Sequence, residues 1–172
     1  MIKNSNILIL GGAGFIGYYL AEALSLNNKV VIIDNLFKAK KKDDLFKKLL
    51  KKKNIKFYQK DVCAINTSGI SKKFQYIFDC AAILGVQKII KKNYFSLEKN
   101  IKLTLKAVEI AKKQKNLKKI IFFSSSEIYD GGGKFYKTKY PSKVKTTITL
   151  SDILEKRTVY MSSKILGEIL YI

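Results

Sequence analysis

Tyr160 and Lys164 stand four residues apart in the stretch TVYMSSKILGEIL. In a helix that spacing puts both side chains on one face. A phenol ordinarily titrates near pH ~10, so a tyrosine is a poor base at neutral pH. A neighbouring ammonium favours the phenolate. Bringing the phenol to ~7 takes about 4 kcal/mol of differential stabilisation, within reach of two cations in a partly dry cleft. The pair therefore reads as a general base that removes a proton from a hydroxyl. Such pairs also arise by chance on exposed helices, so the reading depends on what else the chain carries.

A second chemical signal lies near the start. Gly11-Gly12-Ala13-Gly14-Phe15-Ile16-Gly17 follows the apolar run NILIL. Gly12, Gly14 and Gly17 fit G-x-G-x-x-G, and Gly11, Gly14 and Gly17 fit G-x-x-G-x-x-G. Either register puts glycines where a strand turns into a helix. There a backbone can approach a pyrophosphate closely while helix N–H groups, those of Phe15 and Ile16 among them, face the anion. Asp34 answers the turn twenty residues beyond Gly14. A carboxylate there can bond both ribose hydroxyls of adenosine and repels a 2′-phosphate, which favours NAD over NADP. Asn35 and the lysines nearby could soften that preference.

Positioning these groups requires a set of alternating elements. Asn6 to Leu10, Val30 to Ile33, Ile55 to Gln59, Tyr76 to Phe78 and Lys119 to Phe123 read as strands. VVII is β-branched throughout, as a strand buried on both faces should be. Helices are expected over Phe15 to Leu26, Asp43 to Lys53, Thr67 to Lys73 and Ser96 to Lys113, with a last one capped by Ser151-Asp152 and running to Ile172. Tyr129 to Thr149, with three consecutive glycines and the only proline, reads as loop. The alternation predicts an α/β fold, a Rossmann-type doubly wound parallel sheet of about five strands. No linker interrupts residues 1–172, so they read as one NAD-binding domain.

Composition removes several alternatives. The net charge is +21, but one of the 34 basic residues, Arg157, is arginine and the rest are lysine. Base-reading and phosphate-clamping surfaces lean on the planar guanidinium fork, so the excess argues against nucleic acid and for a solvated lysine coat. There is no histidine, which excludes a Ser-His-Asp system and any histidine-containing metal site. Two separated cysteines, Cys63 and Cys80, are too few for a disulfide framework or an all-cysteine zinc site; no metal is expected, and a reducing, cytoplasmic setting is. Ala21-Glu22-Ala23 imitates a secretory cleavage site, but the patterned glycines before it argue otherwise. No segment reaches the ~18 apolar residues of a membrane span.

GGAGFIG, VVIIDNL, Asp61-Val62, CAAILGV, NIKLTLKAVEIAKK, FFSSSEIY, Tyr160-Met-Ser-Ser-Lys164 and Gly167-Glu168 follow one another across nearly the whole chain. In this order and spacing the sequence resembles the extended short-chain dehydrogenase/reductases, the NAD-dependent epimerase/dehydratase family that acts on nucleotide sugars. The resemblance implies that Asp61 and Val62 contact adenine and that Ala81 and Ala82 line the path to the nicotinamide. It puts Asn100 on the cofactor side of the site and has Lys164 bond the nicotinamide ribose. Ser125, four residues before Tyr129, matches the family's catalytic Ser or Thr. Glu127 is similar to a glutamate of the dehydratase and decarboxylase branches, an acid/base for the step after a sugar hydroxyl becomes a ketone. Asp79 stands where a histidine is common in the family, and Asp130 where glycine is usual.

Family members run to about twice this length, and the chain stops inside an apolar helix. The expectation is therefore the N-terminal, cofactor-binding part of an epimerase, dehydratase or decarboxylase, as a fragment or a truncated reading frame, with the C-terminal substrate domain absent. The alternative is a non-catalytic NAD-binding subunit completed by another chain. A homodimer joined through the helices Ser96 to Lys113 and Asp152 to Ile172 is implied by the same likeness.

Overall fold

The computed structural model describes residues 2–38, 43–85, 93–137, 139 and 141–172. Val86, which closes the CAAILGV motif, and Thr138 and Tyr140 of the expected loop lie outside the described residues. The chain divides into two compact units, one of residues 1–82 and 103–123 and the other of residues 83–102 and 124–172.

The first unit holds the sheet. Strands β1 (Asn6–Leu10), β2 (Lys29–Asp34), β3 (Ile55–Gln59), β4 (Tyr76–Asp79) and β5 (Lys119–Phe122) pair in parallel in the order β3-β2-β1-β4-β5. The order reverses between β1 and β4, the switch point at which doubly wound sheets receive ligands. Leu10 of β1 lies opposite Ile33 on one side and Asp79 on the other. Ile7, Leu8, Ile9 and Leu10 are all fully buried. Both faces of the central strand are thus covered, which is why Ile7 to Leu10 are all apolar rather than alternating.

Helix α1 (Phe15–Leu24) follows β1, and its Ala21 joins Ile7, Ile9, Val30, Ile32 and Phe78 in one apolar cluster. Helix α2 (Asp44–Leu50) adds Phe46 and Leu49 to that cluster. Asp43 caps it by accepting from the N–H groups of Leu45 and Phe46 at 3.0 and 3.2 Å. Helix α3 (Asn93–Lys112) begins three residues before the expected Ser96. In its second half Leu103, Ala107, Ile110 and Ala111 are buried, and Gln114 just beyond accepts from Phe74 N at 2.9 Å.

Three expectations are corrected. The helix expected over Thr67 to Lys73 is a single 3-10 turn, Thr67–Gly69, capped by Asn66. The expected loop follows a 3-10 turn, Ser126–Tyr129, and begins as a short helix α4 (Asp130–Phe135) through the glycines, where Gly131 N donates to Thr149 O at 2.9 Å. The final helix, α5 (Thr158–Leu170), starts six residues later than Asp152. Asp152 accepts from Leu154 N at 2.8 Å, which closes a local turn in place of a helix cap. No described helix is long and apolar enough to cross a membrane.

Candidate active site

The candidate residues divide between the two units. In the first, β1 delivers the chain into the glycine turn at the switch point. Gly11 has φ +78°, and a Cβ there would lie 2.8 Å from both Ala81 Cα and Ala81 N. Only glycine allows β1 to turn this close to the backbone leaving β4. A Cβ on Gly17 would collide with Gly11 O and sit 2.7 Å from Gly12 Cα, so glycine also lets α1 start against the turn. Gly14 is the N-cap of α1 and has no side chain to cap it. The N–H groups of the first helical turn, Phe15, Ile16 and Gly17, thus have no side-chain cap and carry the positive end of the helix dipole. The Phe15 side chain is 80% exposed.

Asp34 ends β2, and its carboxylate is already oriented. Oδ2 accepts from Ala13 N at 3.1 Å and Oδ1 from Leu36 N at 2.7 Å. The first bond ties the acid to the glycine turn. Each oxygen keeps a further lone pair for a hydroxyl donor. Asn35 accepts from Phe37 N at 2.9 Å, which shapes the loop after β2. Asp61 caps the 3-10 turn Val62–Ala64 by accepting from Cys63 N at 2.9 Å, and Val62 is buried. Ala81 abuts Gly11, and Ala82 follows it half-buried. The bare backbone and uncapped helix start offer N–H donors, and the pre-set carboxylate an acceptor, a combination suited to the diphosphate and ribose of an adenosine diphosphate.

The second unit gathers Ser125, Glu127, Tyr160 and Lys164. Tyr160 and Lys164 share one side of α5 and are 9% and 6% exposed. Lys164 Nζ lies 5.8 Å from the centroid of the Tyr160 ring, within cation–π range. Ser125 caps the Ser126–Tyr129 turn, its Oγ accepting from Glu127 N at 3.2 Å, and it is also hydrogen-bonded to the Tyr160 side chain. Burial pushes the Tyr160 phenol above its ordinary pKa; the Ser125 hydrogen bond opposes this, and the negative charge of Glu127 raises it further. The sequence reading lowers this phenol by two cations acting together, Lys164 and a bound nicotinamide; in the chain alone burial holds it above its ordinary value.

Asn100 is buried in α3. Its Oδ1 accepts from Ile83 N at 2.7 Å, and its Nδ2 donates to Ile83 O at 3.2 Å and Ser163 Oγ at 3.4 Å. Its amide thus clamps the backbone at Ile83 and reaches the helix that bears Tyr160. Arg157 escaped the sequence reading. It sits at the N-cap of α5, and its Nη2 lies 3.4 Å from Glu127 Oε2. Its signal was its being the sole arginine in a lysine-rich chain. Among the described residues no cluster of three histidine, cysteine, aspartate or glutamate side chains could hold a metal.

The sequence pattern of the NAD-dependent epimerase/dehydratase family matches residues 7–172. The chain belongs to that family. It is 37% identical over 129 residues to UDP-N-acetyl-alpha-D-glucosaminuronate decarboxylase of Bacillus cytotoxicus, covering 73% of this chain and 38% of that protein. It is 32% identical over 131 residues to UDP-glucuronate 4-epimerase of Thermodesulfobacterium geofontis, covering 72% and 40%. Among solved structures, a UDP-N-acetylglucosamine 4-epimerase of Methanobrevibacter ruminantium superposes with TM-score 0.77 at 28% identity, over 98% of this chain and 49% of that one. The UDP-glucuronic acid 4-epimerase of Bacillus cereus in complex with NAD gives 0.73 at 27%, over 96% and 50%. The chain thus spans well under half the length of these curated relatives and about half of the solved family members.

Proposed function

We propose that the chain binds NAD and supplies the oxidising part of a nucleotide-sugar epimerase, dehydratase or decarboxylase. The observation that carries the reading is the buried Tyr160, hydrogen-bonded to Ser125 and sharing one side of α5 with Lys164. The Gly11–Gly17 turn receives the pyrophosphate on backbone N–H groups, and Asp34 accepts from the adenosine ribose. Asp61 and Val62 flank the adenine, while Ala81 and Ala82 lead toward the nicotinamide. Bound there, NAD+ supplies a hydride acceptor and a positively charged ring.

Tyr160 takes the proton of the sugar hydroxyl being oxidised, and Ser125 holds that hydroxyl by a hydrogen bond. Lys164 contributes an ammonium that favours the phenolate and bonds the nicotinamide ribose. Glu127 serves as acid or base in the stage that follows, when the ketone activates its neighbouring bonds. Asn100 acts beside them through the segment at Ile83. Leu166, Ile169 and Leu170 expose apolar surface on α5, which suits pairing with a second copy of the chain.

The test is incubation with UDP- and dTDP-sugars and NAD+, following NADH absorbance and the sugar product. The reading predicts an altered sugar or NADH signal, reduced about 10²-fold or more in Tyr160→Phe. NAD binding with every sugar unchanged overturns it in favour of a non-catalytic cofactor-binding subunit. Sedimentation of the chain as a monomer at micromolar concentration refutes the pairing.

A further inference from the structure

We propose that Arg157 is a positioning residue whose guanidinium holds the Glu127 carboxylate and keeps it off the Tyr160 phenol. The proposal deepens the role assigned to Tyr160 and Glu127 above and rests on it. Four observations support it. Arg157 Nη2 and Glu127 Oε2 are 3.4 Å apart across thirty residues of sequence, so the fold brings them together. Glu127 N donates to Ser125 Oγ, and Ser125 is hydrogen-bonded to Tyr160, so the residue that bears the carboxylate adjoins the pair that handles the proton, and its negative charge is felt at the phenol. Arg157 O accepts from Tyr160 N at 3.0 Å, so guanidinium and phenol are rooted in the same first turn of α5.

The fourth observation is the residue type. Arg157 occupies the N-cap of α5 and makes no capping bond. A cation at a helix N-terminus opposes the helix dipole, and Ser, Thr, Asp or Asn would stabilise the helix there. Helix formation therefore does not account for it. Every other basic residue in the chain is lysine, yet this one carries the planar, weakly hydrated fork suited to a carboxylate. The side chains of Arg157 and Glu127 are 49% and 35% exposed, so the pair by itself adds little to stability. Its consequence lies in where the negative charge is held. Left to itself, a carboxylate next to a phenol accepts the phenol's proton in a hydrogen bond and resists its ionisation.

Among the described residues, the charged groups around Tyr160 are Glu127 from the Ser126–Tyr129 turn, Lys164 one helical turn on, and Arg157 acting through Glu127. The experiment is an alkaline spectrophotometric titration of the whole chain, without NAD+ or sugar. The chain has ten tyrosines, so each variant is referenced to its own Tyr160→Phe counterpart. Glu127→Gln should lower the Tyr160 midpoint by about 0.5 pH unit, the effect of removing a half-solvated like charge. Arg157→Met should raise it by a similar amount, and Arg157→Lys should recover part of the shift. The double variant Arg157→Met/Glu127→Gln should match Glu127→Gln alone, because Arg157 works only through that carboxylate. The proposal is overturned if Arg157→Met leaves the midpoint in place, or if its shift persists undiminished without Glu127. Circular dichroism establishes that each variant is folded; should Arg157→Met not fold, Arg157→Gln carries the same expectation. Since neither cofactor nor substrate is present, failure here is distinct from failure of the proposed reaction.

Discussion

Two glycines in one turn should respond very differently to the same added methyl group. At Gly11 the backbone sits at φ +78°, and a Cβ would meet Ala81 Cα and Ala81 N at 2.8 Å and Cys80 C at 2.9 Å. All three are backbone atoms, which cannot rotate away. An L-residue at that φ costs about 1–2 kcal/mol, and forced overlap in a packed region costs about 1–3 kcal/mol more. Gly11→Ala should therefore destabilise by about 2–5 kcal/mol. At Gly14 φ is −75°, and the nearest atom to an added Cβ is Gly11 O at 3.4 Å, an ordinary contact. Gly14→Ala should cost under about 1 kcal/mol, chiefly as a poorer N-cap. At about 2–4 °C per kcal/mol for a chain of this size, Gly11→Ala should melt roughly 4–20 °C below the parent and Gly14→Ala within about 4 °C of it. Thermal unfolding followed by circular dichroism, without ligand, decides. Equal melting points for the two variants would refute the close approach of the turn to β4 on which the proposed phosphate site rests.

Glu109 accepts hydrogen bonds from Lys106 Nζ and Thr67 Oγ1, and its pKa is lowered from 4.5 to about 2, chiefly by Lys106. Because the folded value is depressed, its contribution is present above pH 4.5 and lost as pH falls toward 2; in acid unfolding Glu109→Gln should lack that dependence, and superposition on the parent across the whole range contradicts the assignment. Asn100→Ala strips Ile83 N–H and C=O of the side chain that clamps both. It should cost about 1–3 kcal/mol and speed hydrogen exchange of the Ile83 amide; an unchanged exchange rate refutes the clamp.

Much of this was legible in the sequence because it rests on local pattern. The β-branched run VVII and the apolar NILIL became the buried strands β2 and β1, and Gly11 to Gly14 became the turn between strand and helix, with Gly17 in the first turn of α1. The misreadings come from residues whose backbone or short side chain can be satisfied in more than one way. Asp152 resembles a helix cap in sequence, yet its carboxylate closes a turn on Leu154 N, and α5 waits until Thr158. Gly131 to Gly133 suggest a loop by composition, yet they take up helix α4, with Gly131 N paired to Thr149 O. Electrostatics were harder still. Spacing puts Lys164 near Tyr160 but does not reveal how deeply the phenol is buried, and burial sets the direction of its pKa. The contact between Arg157 and Glu127 joins positions thirty residues apart, and only the folded chain displays it.

The central claim is that the glycine turn and Asp34 together hold the adenosine diphosphate half of NAD. Side-by-side calorimetric titration of the chain with NAD+ and NADP+ tests it most directly. One-to-one binding of NAD+ is predicted, at least about tenfold tighter than NADP+, since the Asp34 carboxylate, fixed by Ala13 N and Leu36 N, meets a 2′-phosphate with like charge. Absence of NAD+ binding, or equal or tighter binding of NADP+, would contradict the account.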